Sequence, residues 1–114
     1  MTYVYKIVSR LEWDAAVSAG VFEGAAIDLQ DGYIHLSTAA QAAETARRYF
    51  VGQEELVLVR LDVARLGPAL KWEPSRGGDL FPHVYGPLDP KLAEAVTPIQ
   101  LAADGTPQLG ELPA

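Results

Sequence analysis

The sequence predicts an α+β fold, a small single domain of two short antiparallel sheets with two main helices. Three observations lead there. The chain has 114 residues, too few for a second domain. Short β-type segments outnumber helical ones and mostly do not alternate with them, which argues against a doubly wound sheet. Hydrophobic residues make up 49%, enough to fill a core in a chain that removes about two-thirds of its surface on folding. The globular part is expected over residues 1–101. Residues 102–114, broken by Gly105, Pro107, Gly110 and Pro113, read as a mobile tail.

The elements follow in order. Tyr3 to Val8 is β-branched and aromatic, hence a strand. Ser9 and Glu12 have capping-box spacing, opening a helix to about Ser18 that Gly20 ends. Gly24, Asp28, Asp31 and Gly32 mark a loop or a single helical turn. The Asp31-Gly32 turn signal launches a short strand, Tyr33 to Leu36. Thr38 and Gln41 form a second capping box, and the helix runs to about Phe50 before Gly52. Its buried stripe is Ala39, Ala42, Ala43, Ala46 and Phe50, with Glu44 and Arg47 toward water and Arg47-Arg48 on a solvated face. Leu56 to Val59, continuously apolar, is the candidate central strand. Val63 to Leu66 is one turn, closed by Gly67-Pro68. Leu70 to Glu73 and His83 to Tyr85 are short strands around a polar loop, and Ala95 to Leu101 is the last strand. Trp13 is expected in the core, as is Trp72 on the Leu70 side of its strand.

Composition removes several function classes. Fifteen acidic against nine basic residues give a net charge of −6, which disfavours nucleic acid and anionic membranes as partners. Without cysteine there is no disulfide, thiolate nucleophile or thiolate metal site. No apolar run approaches the roughly 18 residues that span a bilayer. The first residues carry no basic segment followed by an apolar one, so a cytoplasmic location is expected. Walker A, G-x-G-x-x-G and G-x-S-x-G motifs are missing. His35 and His83 lack metal-ligand spacing, and no metal site is expected.

What chemistry there is gathers on two strands. Alternation puts Tyr33, His35 and Ser37 on one face and Ile34 and Leu36 on the other. His83 and Tyr85 likewise share a side. Two imidazoles with flanking hydroxyls in one cleft would donate and accept hydrogen bonds near neutral pH. Between the strands, Ser75-Arg76-Gly77-Gly78 offers a guanidinium fork and accessible amides for a phosphate or carboxylate. A turn in which Arg76 pairs with Asp79 or Glu73 is the structural alternative. Glu73 is a candidate general base, or half of a solvated pair with Lys71. Asp31 is a possible orienting acid, or simply a turn residue.

The stretches Asp31 to Thr38, Gln41 with Thr45-Ala46, and Trp72 to Gly78 through Leu80 to Gly86 resemble a bacterial family known as domain of unknown function 952. The likeness covers Tyr3 to about Val96. It implies a fold similar to ADP-ribosyltransferases, two sheets around a cleft for nicotinamide adenine dinucleotide (NAD). In such enzymes a histidine or arginine on an early strand holds the adenosine ribose, the place His35 would take. A serine or tyrosine strand lines the nicotinamide pocket (Ser37 or Tyr85), and a glutamate orients the acceptor (Glu73). The chain departs from the pattern in having no S-T-S triplet before an E-x-E, and His83 has no counterpart in it.

The expected function is therefore a His/Arg/Tyr-lined cleft for a nucleotide or related small anion, with NAD as the candidate cofactor. Glu73 and His83 are the catalytic candidates. His35, Ser37, Ser75, Arg76, Gly77 and Tyr85 are the ligand-binding ones. An ADP-ribosyltransferase-like enzyme, a metabolite-binding module without turnover, and a purely structural clamp through His83 all stay open. Oligomeric state is not legible in the sequence.

Overall fold

The computed structural model describes all 114 residues. Strand β1 (Tyr3–Ser9) leads into helix α1 (Arg10–Ala19), then the short α2 (Ala26–Asp31), β2 (Ile34–His35), β3 (Ser37–Thr38) and α3 (Ala39–Tyr49). Next come β4 (Leu56–Asp62), α4 (Val63–Leu66), β5 (Leu70–Pro74), β6 (Leu80–Val84), β7 (Ala93–Leu101) and β8 (Pro107–Gln108). A five-stranded antiparallel sheet has the order β3-β1-β4-β7-β8, and a three-stranded one the order β2-β6-β5. The α+β prediction with two antiparallel sheets agrees with this architecture.

Each face of the large sheet has its own cover. Val4, Val8, Val57, Val59 and Leu61 pack with Trp13 and Ala16 of α1 and with Ile34 and Val84 of the small sheet. Tyr5, Ile7, Leu56 and Leu58 pack on the other face with Ala46 of α3. Burial on both sides explains why the start of β4 reads as a continuous apolar run. As expected, β4 is central and Trp13 is core, its ring 5.5 Å from that of Phe22.

Both caps open helices at the positions read, but only Thr38 and Gln41 form the full box, since the Glu12 carboxylate accepts from the Ser9 hydroxyl and not from its amide. The Ser9 hydroxyl accepts from the Glu12 amide at 3.1 Å, and that of Thr38 from the Gln41 amide at 3.2 Å. The glycine-bounded segment before β2 forms more than a turn. It makes α2, and Gly32 (φ 87°) is its left-handed C-terminal residue, not a hairpin corner.

Three other placements differ from the sequence reading. The strand expected over Tyr33 to Leu36 is cut at Leu36, where buried Leu36 drops into the core. Its amide donates to the Pro82 carbonyl, and the chain passes from the small sheet to the large one. Trp72 is not core. It lies on β5, an edge strand, and is 41% exposed. Residues 102–114, read as a loose tail, lie against the large sheet. Strand β8 pairs with β7, Leu109 and Leu112 pack beside Tyr5 and Leu58, and the Tyr5 hydroxyl donates to the Pro113 carbonyl. Apolar residues spaced between the prolines give this segment a face to bury.

Candidate functional site

Chemistry concentrates on the polar face of the small sheet. The register sets His35, His83 and Lys71 in one cross-strand row, with Phe81 and Glu73 in the next. Across antiparallel strands such neighbours come within side-chain reach. The two imidazoles lie 5.5 Å apart, edge toward face. Tyr33 covers them, its ring centroid 4.2 Å from His83, 4.6 Å from His35 and 5.2 Å from Tyr85.

His35 is held at both nitrogens. Nδ1 lies 2.6 Å from Oδ1 of Asp28, and Nε2 lies 2.9 Å from Oδ2 of Asp31. Carboxylates only accept, so the ring satisfies both with a hydrogen on each nitrogen. Asp28 is the anchor, its side chain without any exposure. It also receives the Ala25 amide at 2.8 Å, the His35 amide at 3.1 Å and the Lys6 ammonium at 2.8 Å. Burial alone would raise the Asp28 carboxyl. The hydrogen bond from His35 and the Lys6 charge outweigh it and hold the group at about 2. Lys6 is pushed down by its own burial, against the pull of Asp28. Gly24 makes room for this arrangement, since a Cβ there would come within 2.7 Å of Asp28 Cβ at a backbone φ of 124°.

His83 is buried but bound differently. Nδ1 lies 2.8 Å from Glu73 Oε1, and that oxygen also accepts the Tyr85 hydroxyl at 2.7 Å. These two bonds hold the Glu73 carboxyl below its usual range, and the second raises the Tyr85 hydroxyl. With Nδ1 donating to a carboxylate, Nε2 is left as the basic nitrogen.

A cleft of about 630 Å³ opens beside the pair, walled in part by His35, His83, Ser37, Ser75, Arg76 and Thr45. That volume suits a small molecule. Arg76 pairs with neither Asp79 nor Glu73. Its Nη1 donates to Thr45 Oγ1 at 3.2 Å, Nε lies 3.4 Å from Glu44 Oε2, and the guanidinium carbon stands 4.9 Å over the Phe81 ring. Gly77, with φ of 70°, shapes the loop that presents Arg76. Ser37 donates to Thr45 Oγ1 at 3.3 Å.

Of the residues singled out from sequence, His35, His83, Ser37, Ser75 and Arg76 share the cleft. Glu73 and Tyr85 stand behind His83, outside its walls, and Gly77 acts through the loop. Asp28 and Lys6 went unnoticed. Asp28 sits among glycines and a second aspartate and looks like a turn residue, and Lys6 breaks an apolar strand as a solvated lysine would. The available signal was the sequence proximity of two carboxylates, Asp28 and Asp31, to His35, with Gly32 able to turn the chain between helix and strand.

Fold and site together define a small α+β domain in which two antiparallel sheets flank a cleft bearing a carboxylate-aligned histidine. The chain belongs to the family described as protein of unknown function (DUF952), whose model matches residues 7–96. It is similar to the crystal structure of protein CC0527 from Caulobacter crescentus, at 53% identity over 94% of both chains with a TM-score of 0.92. The solution NMR structure of CC0527 is 55% identical over 96% of this chain and 95% of that one, with a TM-score of 0.86. No curated protein matches. No helix is long and apolar enough to cross a membrane.

Proposed function

We propose that the cleft binds a nucleotide-type anionic small molecule, with Arg76 receiving its phosphate and His83 Nε2 acting as base toward a second reactant. The observation that carries this reading is the Glu73–His83 pair. A carboxylate fixes one ring nitrogen and leaves the other in a cleft that also holds a guanidinium and the Ser37 and Ser75 hydroxyls. The ADP-ribosyltransferase-like fold that the family resemblance implies makes NAD the first ligand to try and ADP-ribosyl transfer the first reaction. His83 would take the proton of the attacking acceptor as nicotinamide leaves. Glu73 would steady the imidazolium, and Tyr85 would hold Glu73 in place. His35 has a different role from the ribose contact the family pattern implies. Both its nitrogens are engaged, so it stiffens the wall, and a ligand oxygen reaches Nε2 only by displacing Asp31.

Calorimetry with NAD and with ADP-ribose tests the reading on the parent chain and on Arg76→Ala. Saturable heat that Arg76→Ala removes is the expected result. No heat from either ligand at about 1 mM would end it, since such weak association falls short of a specific site. Glu73→Gln then separates an enzyme from a binding module. In an enzyme it abolishes turnover with ligand affinity retained, whereas in a module there is no turnover to lose.

A further inference from the structure

We propose that strand β5 pairs with β5 of a second copy across a two-fold axis at Trp72, making a homodimer. β5 is the edge of the small sheet, hydrogen-bonded on one side only, to β6. The Ser75 amide donates to Asp79 and the Tyr85 amide to Ala69, both at 2.9 Å, and these bonds set the phase of the ladder. Antiparallel pairs alternate, so Lys71 and Glu73 bond toward β6, while Leu70, Trp72 and Pro74 turn their main chain outward. The Leu70 amide is already given to the Gly67 carbonyl, and Pro74 has none. Trp72 alone presents both an N–H and a C=O on the open edge.

The sequence around it is complementary to itself. A two-fold axis at Trp72 sets each Trp72 against its twin, with two reciprocal main-chain hydrogen bonds. It also sets Lys71 opposite Glu73 of the partner subunit, once on each side of the axis. On the other face Trp72, at 41% exposure, and Leu80, at 53%, flank Pro74 as an uncovered apolar strip that the second copy would bury. Edge lysines and prolines usually keep strands from pairing. Here the lysine meets a carboxylate, and Pro74 lies outside the central pair. The arrangement would bring Lys71 of the partner subunit beside the Glu73 that aligns His83.

Sedimentation equilibrium on the full chain, from about 10 μM to about 1 mM, measures the association. The expected result is a monomer–dimer equilibrium that Trp72→Lys weakens about tenfold or more and Lys71→Glu weakens several-fold. The exchange K71E/E73K returns the affinity to near that of the parent. Because Lys71 and Trp72 are exposed, circular dichroism and melting of their variants should match the parent. A chain that stays monomeric throughout, a dimer indifferent to Trp72→Lys, or a charge exchange that restores nothing would each overturn the proposal.

Discussion

His35 and His83 face each other across β2 and β6, yet their surroundings have opposite characters. Around His35 both ring nitrogens have a carboxylate partner. Asp28 and Lys6 form a buried ion pair, and the half-buried His35 ring is held between Asp28 inside and Asp31 at the surface. Around His83 one nitrogen is fixed by a half-exposed carboxylate and the other has no protein partner. The difference shows how a fold divides labour between two like residues. A satisfied cluster supplies rigidity, and under the proposed function the incompletely satisfied one supplies the reactive nitrogen. Tyr33, in tilted contact with both rings, lets the His35 side brace the His83 side.

The largest expected effect lies in the stiff half. Asp28→Asn leaves the Lys6 ammonium buried without its counter-ion, which costs about 3–5 kcal/mol. In a domain of this size each kcal/mol moves the melting temperature by roughly 4–8 °C, so thermal denaturation should show a fall of well over 10 °C. A drop of only a few degrees would mean that the cluster is not the brace. Acid gives the next effect. The Asp28 carboxyl sits at about 2 in the fold against 3.8 ordinarily, so the ionised form favours the folded state. Its contribution, about 2 kcal/mol, is complete above pH ~5 and is lost as pH falls from ~4 toward ~2. Urea titrations across that window should show the decline in the parent and a flatter profile in Asp28→Asn.

In the reactive half, Arg76→Ala removes a charged hydrogen-bond donor from the cleft. Under the proposed function it should weaken nucleotide binding by roughly 10- to 100-fold with little change in melting temperature. Equal loss of ligand affinity and of stability would erase the distinction between the halves.

How much of this was legible in the sequence differs between the halves as well. Strand alternation placed His83 with Tyr85 and put His35 opposite the core face, and the glycines flagged the Arg76 loop. Both capping boxes gave helix starts correctly, because a cap is a local hydrogen bond between residues three apart. The stiff half was opaque for the converse reason. Asp28 matters through Lys6, 22 residues away, and such a pairing is set by how α2 packs on β1. Trp72 was misplaced because alternation tells which face a side chain takes but not whether anything covers that face. The segment after Leu101 was misread on its prolines and glycines, although Pro107, Leu109 and Leu112 are what the large sheet buries.

The smallest effect on stability is expected from Glu73→Ala, and it probes the comparison most directly. Glu73 is near the surface, so the melting temperature should stay within about 3 °C of the parent. The two imidazoles should nevertheless diverge in nitrogen-15 spectra. In the parent, His83 carries its hydrogen on Nδ1 because Glu73 accepts it. Removing that acceptor lets the ring shift toward the Nε2–H tautomer, and the His83 nitrogen shifts should exchange their pattern. His35, bonded to Asp28 and Asp31, should keep its signals, as both its partners remain. Tyr85 loses the acceptor that raises its hydroxyl and should ionise at lower pH, which absorbance near 295 nm would follow. Matching changes in both histidines would mean that the rings act as one coupled group, and the division between a bracing and a reactive imidazole would fall.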